Sequence, residues 1–301
     1  MPSFKIVVAY DGTDFVGWQR QATGVSIQSL LEDALRTLDD RDVTVAAAGR
    51  TDAGVHALGQ VAAFTLERAI DSATLVRALN AQLPDSVRAL SATEVPAMFN
   101  PRFNTRAKTY RYRIWNGPVL SPFERRYAWH VFATLDVGAM AAAARRLEGR
   151  HDFASFQAAG SDVTTTERTI LSSKLFNDYH SPEKLSMNKL STTEDAGDTE
   201  EKSFSRTTRT STGFNLRVPR VPSGGEICGG DLICYEITGD GFLRHMVRAV
   251  AGTLVEIGRG RRPVEWIDEV LASRDRAAAG PTAPAAGLFL IAVHYGDAPC
   301  E

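Results

Sequence analysis

The sequence predicts an α+β fold: two ferredoxin-like βαββαβ halves related by a pseudo-twofold, a mainly antiparallel sheet with helices on one side, and a catalytic cleft between the halves. Three observations predict it. Segments of strand and helix periodicity follow one another as β-α-β-β-α-β over residues 1–105. The same order returns over residues 106–301, interrupted by one long polar stretch. No apolar run reaches the ~18 residues a membrane span needs.

In the first half, residues 4–10 (FKIVVAY) read as a strand. Ser26 can cap a helix whose Ile27, Leu30, Leu31, Ala34, Leu35 and Leu38 form one apolar stripe. Residues 43–48 are a short apolar run, followed by a glycine-rich turn and a strand over 60–66. Ser72 can cap a second helix with Leu75, Val76, Leu79 and Leu83 on one face, and 87–95 closes the unit as a strand. In the second half, 109–115 (TYRYRIW) is a strand and Asp136 can cap a helix running to Leu147. Residues 168–176 and 231–238 are strands. Residues 242–257 form a long helix, 263–272 a shorter one opened by proline, and 288–295 the last strand. The repeat is one of element order, with no matching repeat of residues.

Residues 177–230 stand where a short hairpin connection belongs. Connections beyond ~15 residues are usually functional or disordered. The stretch 181–202 is poor in apolar residues and carries Glu194, Asp195, Asp198, Glu200 and Glu201, so it is expected to be mobile and to repel phosphates. Residues 203–218 alternate like an extended arm, and Arg206, Arg209, Arg217 and Arg220 lie along or just past it.

Of the 301 residues, 44% are hydrophobic and 23% charged, which suits a globular chain with a real core. The three cysteines, Cys228, Cys234 and Cys300, fit neither a disulfide framework nor a metal knuckle. With no leader-like start, a reducing cytoplasm is expected. Six scattered histidines give no metal spacing, and neither a Walker loop nor a dinucleotide fingerprint is present. Net charge is −2, which does not by itself mark a nucleic-acid binder. Phosphate contacts need only a local basic face.

Three segments carry chemistry. Gly49-Arg50-Thr51-Asp52-Ala53-Gly54-Val55-His56 is a loop between two strands, with opposite charges two residues apart. Its bland alternative is a simple Asx-turn at Asp52. Residues 102–113 interleave five basic and three aromatic residues. Strand alternation puts Lys108, Tyr110 and Tyr112 on one face, with Arg111 and Arg113 on the other. Such interleaving suits RNA, whose bases stack and whose phosphates need cations, although an ordinary edge strand shows it too. Residues 241–248 (GFLRHMVR) open a helix on which Arg244 and Arg248 share a face beside His245. An arginine there can either snorkel to solvent or reach a carboxylate in the cleft.

Together these segments resemble the bacterial tRNA pseudouridine synthase A family over nearly the whole chain. Supporting stretches are Tyr10-Asp11-Gly12 with Phe15-x-Gly17-Trp18-Gln19, Lys108-x-Tyr110-x-Tyr112, His151-Asp152-Phe153, Met246-Val247-Arg248 and Gly287-Leu288-Phe289-Leu290. The departure is the 177–230 insertion. The resemblance implies a cofactor-free, metal-free homodimer that isomerises uridines at positions 38, 39 and 40 of the tRNA anticodon stem-loop. It places the catalytic aspartate on Asp52, the base-displacing arginine on Arg50, the active-site tyrosine on Tyr110, the arginine paired with the aspartate on Arg248, and an apolar pocket residue on Leu288. Gln19, His56, Lys108, Tyr112 and Arg244 are expected to contact substrate. A non-catalytic RNA-binding protein on the same scaffold would keep the basic strand without needing Asp52. A small-molecule hydrolase would need Asp52 without the basic strand.

Overall fold

The computed structural model describes residues 1–158, 160, 164–177 and 230–296. The acidic stretch and arginine arm expected within 178–229 lie outside the described residues. The first unit runs β1 (Ser3–Tyr10), α1 (Ile27–Asp39), β2 (Ala46–Ala47), β3 (His56–Thr65), α2 (Ser72–Gln82), β4 (Val87–Val95). The second runs β5 (Thr105–Asn116), β6 (Trp129–Val131), α3 (Val137–Arg145), β7 (Gly149–Asp152), β8 (Glu167–Asn177), β9 (Asp231–Gly239), α4 (Met246–Gly258), α5 (Trp266–Ser273), β10 (Leu288–Tyr295).

The helices start where local chemistry satisfies their free N–H groups. Ser26 accepts from Ser29 N at 3.1 Å, and Ser29 Oγ accepts from Ser26 N at 3.2 Å, a reciprocal cap. Asp71, one residue before the expected Ser72, accepts from Thr74 N at 2.9 Å and starts α2. Asp136 does the same for Ala139 N at 2.9 Å and starts α3. Two expected starts move. α4 opens at Met246 rather than Phe242, because His245 adopts a left-handed backbone (φ 61°) that no helix continues through. Pro263 sits in a preceding turn, its carbonyl accepting from Trp266 N, and α5 begins at Trp266.

The strands form one sheet in the order β4-β1-β3-β10-β5-β9-β8-β7, with β2 also on β3 and β6 also on β5. The pairs β3–β10 and β5–β6 are parallel and the rest antiparallel. In the first unit β4, β1 and β3 lie side by side, and in the second β10, β5 and β9 do. The units join where β3 meets β10. That seam is short: Phe289 pairs with His56 and Leu290 with Ala57. The far end of the same β3 edge is taken by Ala46 and Ala47. The polypeptide between these pairings is the loop that carries Asp52.

One face of the sheet holds the core. Phe4, Ile6 and Val8 on β1, Tyr110, Tyr112 and Ile114 on β5, Ile233, Tyr235 and Ile237 on β9, and Leu288 and Leu290 on β10 are buried together with Leu31 and Leu35 of α1 and Val250 and Leu254 of α4. Each such side chain contributes about 1.5–3 kcal/mol by leaving water. On β5 the period of two places Arg111 and Arg113 on the opposite face. There Arg111 pairs with Glu236 (2.8 Å) and Arg113 with Glu124 (3.0 Å). Among the described residues, no helix is long and apolar enough to cross a membrane.

Candidate active site

The loop before β3 is held from three sides. Thr51 Oγ1 meets Tyr10 Oη at 2.8 Å, Trp18 N donates to Thr51 O at 3.0 Å, and buried Gln60 donates from Nε2 to Gly49 O at 2.8 Å. Val55 N closes a turn onto the Asp52 carbonyl at 3.1 Å, with Gly54 left-handed at φ 75°. The turn therefore uses the backbone of Asp52, and its carboxylate is free to face the other unit. Two glycines let the 10–19 segment press against the loop. A Cβ on Gly12 would lie 2.6 Å from the Val55 carbonyl carbon, and one on Gly17 (φ 104°) would lie 2.6 Å from Thr51 O.

Across the seam, Asp52 Oδ2 lies 3.4 Å from Arg248 Nη1 and 3.3 Å from His245 Nε2. Arg248 is itself braced, donating from Nε to Ala283 O at 2.7 Å. The carboxylate thus sits at the N-terminal, electropositive end of α4. Around it opens a cleft of about 670 Å³. Its wall includes Trp18, Gln19, Arg50, Asp52, Arg102, Lys108, Tyr110, Phe242, Arg244, His245 and Leu288. Asp52 is the sole carboxylate among the lining residues, set against Arg50, Arg102, Lys108 and Arg244. Such a cleft draws in a polyanion and holds one acid-base group at its centre.

Burial tunes two of these groups. Tyr110 packs edge-on to Phe242 with ring centres 5.0 Å apart. Loss of water, then the neighbouring Tyr10 and Asp52, pushes its phenol far above the usual range, so it keeps its proton at neutral pH. Lys108 is pulled the other way. Desolvation first, then Arg102 and Arg168, lower its ammonium to about 8.

Two residues expected at the substrate lie elsewhere. Tyr112 is buried and donates its hydroxyl to Pro284 O at 2.8 Å. His56 is buried on the opposite face of the sheet from Tyr110. It stacks on Phe289 (4.6 Å), takes the Gly12 N–H on Nδ1 (3.1 Å), and places Nε2 3.0 Å from Arg126 O. Burial outweighs the pull of Asp11 and lowers its pKa. Conversely, sequence reasoning named no part for His245, Trp18 or Phe242. The first was hidden because 242–248 reads as uninterrupted helix. Trp18 stood only within a stretch that supports the resemblance, and Phe242 only as the first residue of the expected helix.

A sequence model of the tRNA pseudouridine synthase family matches residues 6–104 and 143–296. The chain is 42% identical over 299 residues to the tRNA pseudouridine synthase A of Myxococcus xanthus, covering 99% of this chain and 94% of that one. It is 41% identical over 297 residues to that of Moorella thermoacetica, and 38% over 295 residues to that of Pelobacter propionicus. Each alignment covers 98% of this chain and 100% of the relative. With a family match that spans segments of both units and relatives aligned nearly end to end, the chain belongs to the tRNA pseudouridine synthase family.

Proposed function

We propose that the protein isomerises uridine to pseudouridine in the anticodon stem-loop of tRNA, at positions 38, 39 and 40, with Asp52 as the catalytic carboxylate. The observation that carries the reading is the lone carboxylate among four cations, aimed across the seam at Arg248. The reaction breaks the C1′–N1 bond, turns the uracil and forms C1′–C5; C5 gives up its proton and N1 takes one up, directly or through solvent, so the product has the atoms of the substrate. Hydrolysis would discard the base, and a partly enclosed cleft floored by Leu288 and Phe242 limits water. Extracting a stacked uridine costs a few kcal/mol. Arg50, Arg102 and Lys108 offset that at the phosphates, and the Tyr110 ring offers a surface for the uracil. Because Tyr110 holds its proton, it serves the free enzyme as a stacking and donor group. Asp52, with both protein partners on Oδ2, has Oδ1 available to the nucleotide.

The first half, residues 1–105, supplies the Asp52 loop. The second, 106–301, supplies Tyr110, Arg248 and Leu288. In line with the family resemblance, we read the protein as a cytoplasmic homodimer acting without cofactor. Light scattering on the purified protein checks the dimer. The catalytic assignment is tested by Asp52→Asn. Asparagine keeps the size and the backbone turn but removes the charge. Pseudouridine in unmodified tRNA transcripts, mapped by mass spectrometry, should vanish while tRNA affinity stays unchanged. Appreciable single-turnover activity in this variant would remove Asp52 from the mechanism.

A further inference from the structure

Within the segment at the head of α4, Arg248 and Arg244 have parts in the proposed reaction, while the imidazole between them has none. His245 Nε2 lies 3.3 Å from Asp52 Oδ2, the same oxygen that Arg248 reaches at 3.4 Å. Its backbone is left-handed (φ 61°, ψ 3°), a region few non-glycine residues occupy and one that clusters at active sites. Helix capping does not account for that conformation, since the His245 side chain makes no cap hydrogen bond. What the conformation achieves is to end the preceding turn and bring the ring into the cleft wall.

We infer that His245 is a positioning residue for Asp52. Its Nε2 stands at ion-pair distance from the same Oδ2 to which Arg248 donates, so ring and guanidinium flank that oxygen and Oδ1 stays directed at the nucleotide. The inference rests on the reading of Asp52 given above. A carboxylate with one donor pivots about its Cβ–Cγ bond. The Arg248 hydrogen bond on one side and the imidazole edge on the other, three residues apart at a helix start, narrow that freedom.

Charge decides which form of the ring does this. The groups that act on it are Asp52, which raises its pKa, and Arg248, Arg244 and Arg276, which lower it. Desolvation lowers it most, and the net shift is downward. The working form is therefore the neutral imidazole. Once protonated, the ring would pair with Asp52 outright and withdraw charge that the reaction uses. The rate should then show an acid limb below the ordinary histidine range.

His245→Gly tests this, because glycine accepts the left-handed backbone and only the ring is lost. The single-turnover rate on tRNA should fall about tenfold as the carboxylate gains freedom to turn away from the reacting geometry. tRNA affinity should be unchanged, free imidazole should restore part of the rate, and the acid limb should flatten. If circular dichroism shows the glycine variant misfolded, His245→Asn, which also tolerates this backbone, takes its place. A rate equal to that of the unsubstituted protein overturns the inference. So does a loss mirrored in tRNA affinity and indifferent to imidazole. Pseudouridine formation by the unsubstituted protein, abolished by Asp52→Asn, tests the underlying reading separately. A normal rate in His245→Gly would leave that reading standing.

Discussion

Gly12 lies outside the cleft wall, yet its replacement should be among the most damaging single-methyl changes in the protein. A Cβ at position 12 would stand 2.6 Å from the carbonyl carbon of Val55, against about 3.4 Å for ordinary contact. The obstacle is backbone on both sides, so no rotamer relieves it. The 52–55 turn must retreat from the 10–19 segment by at least about 0.8 Å. Asp52 is three residues from the clash and linked to Val55 by the turn hydrogen bond, so it moves with it. Its hydrogen bond from Arg248, at 3.4 Å, is already at the outer limit, and His245 stands at ion-pair distance only. A displacement near 1 Å at a reacting group costs on the order of 100-fold in rate. Overpacking of this kind also costs about 1–3 kcal/mol of stability. Gly12→Ala should therefore lower the single-turnover rate on tRNA about 100-fold, lower the melting temperature, and leave tRNA affinity alone. Rate measurements well below the melting temperature, with binding measured on the same samples, separate these effects. A folded Gly12→Ala variant working at the unsubstituted rate would show that the loop is not positioned from the 10–19 segment.

Arg248→Met should slow the chemical step by about 10- to 100-fold through loss of a charge-assisted contact, on paired and unpaired target uridines alike. Arg50→Ala should instead harm paired targets more than unpaired ones, and equal losses in a single-turnover comparison would refute a role in base displacement. Lys108 gives a pH signature. Between pH 8 and 10.5 the unfolded chain holds this proton and the folded chain does not, so its contribution to stability grows as pH rises through that window. tRNA binding, which uses the cation, should take up a proton near pH 8 and weaken above it. Calorimetry in two buffers of different ionisation heat should show that uptake in the native protein and none in Lys108→Met. Tyr112→Phe should cost about 0.5–1.5 kcal/mol of stability through the lost bond to Pro284 O and leave the rate unchanged. A large rate loss at unchanged stability would return Tyr112 to the substrate.

Local chemistry made most elements readable. Ser26 and Asp136 cap the helices expected of them, β1 follows the apolar alternation, and β4, β9 and β10 lie where strands were expected. The split of Lys108, Tyr110 and Tyr112 from Arg111 and Arg113 follows from strand period alone. What escaped depends on distant partners. β3 begins at His56 rather than residue 60 because Phe289 and Leu290 arrive to pair with it. The run 43–48 contracts to Ala46–Ala47 because β10 takes the other end of the β3 edge. β6 and β7 are short and lack a periodic signature. Tyr112 looked like Tyr110 because period two puts both on one face. What separates them is Pro284, which satisfies one hydroxyl within the core. His56 adjoins the Asp52 loop in sequence, yet strand alternation turns it to the reverse face of the sheet.

The seam between β3 and β10 bears on how the enzyme comes into being during synthesis. His56 Nε2 and Ala286 O, 3.2 Å apart, are separated by 230 positions along the chain. Closing so long a loop carries an entropic cost that only the completed contacts offset, and contacts of such separation form slowly. A nascent chain that has emerged through α4 already presents the Asp52 loop, Tyr110 and Arg248. It still lacks the Ala283 carbonyl that braces Arg248, the Leu288 floor and the β10 strand between the units. The cleft is thus completed only near the end of translation, when Ala283, Leu288 and β10 have emerged.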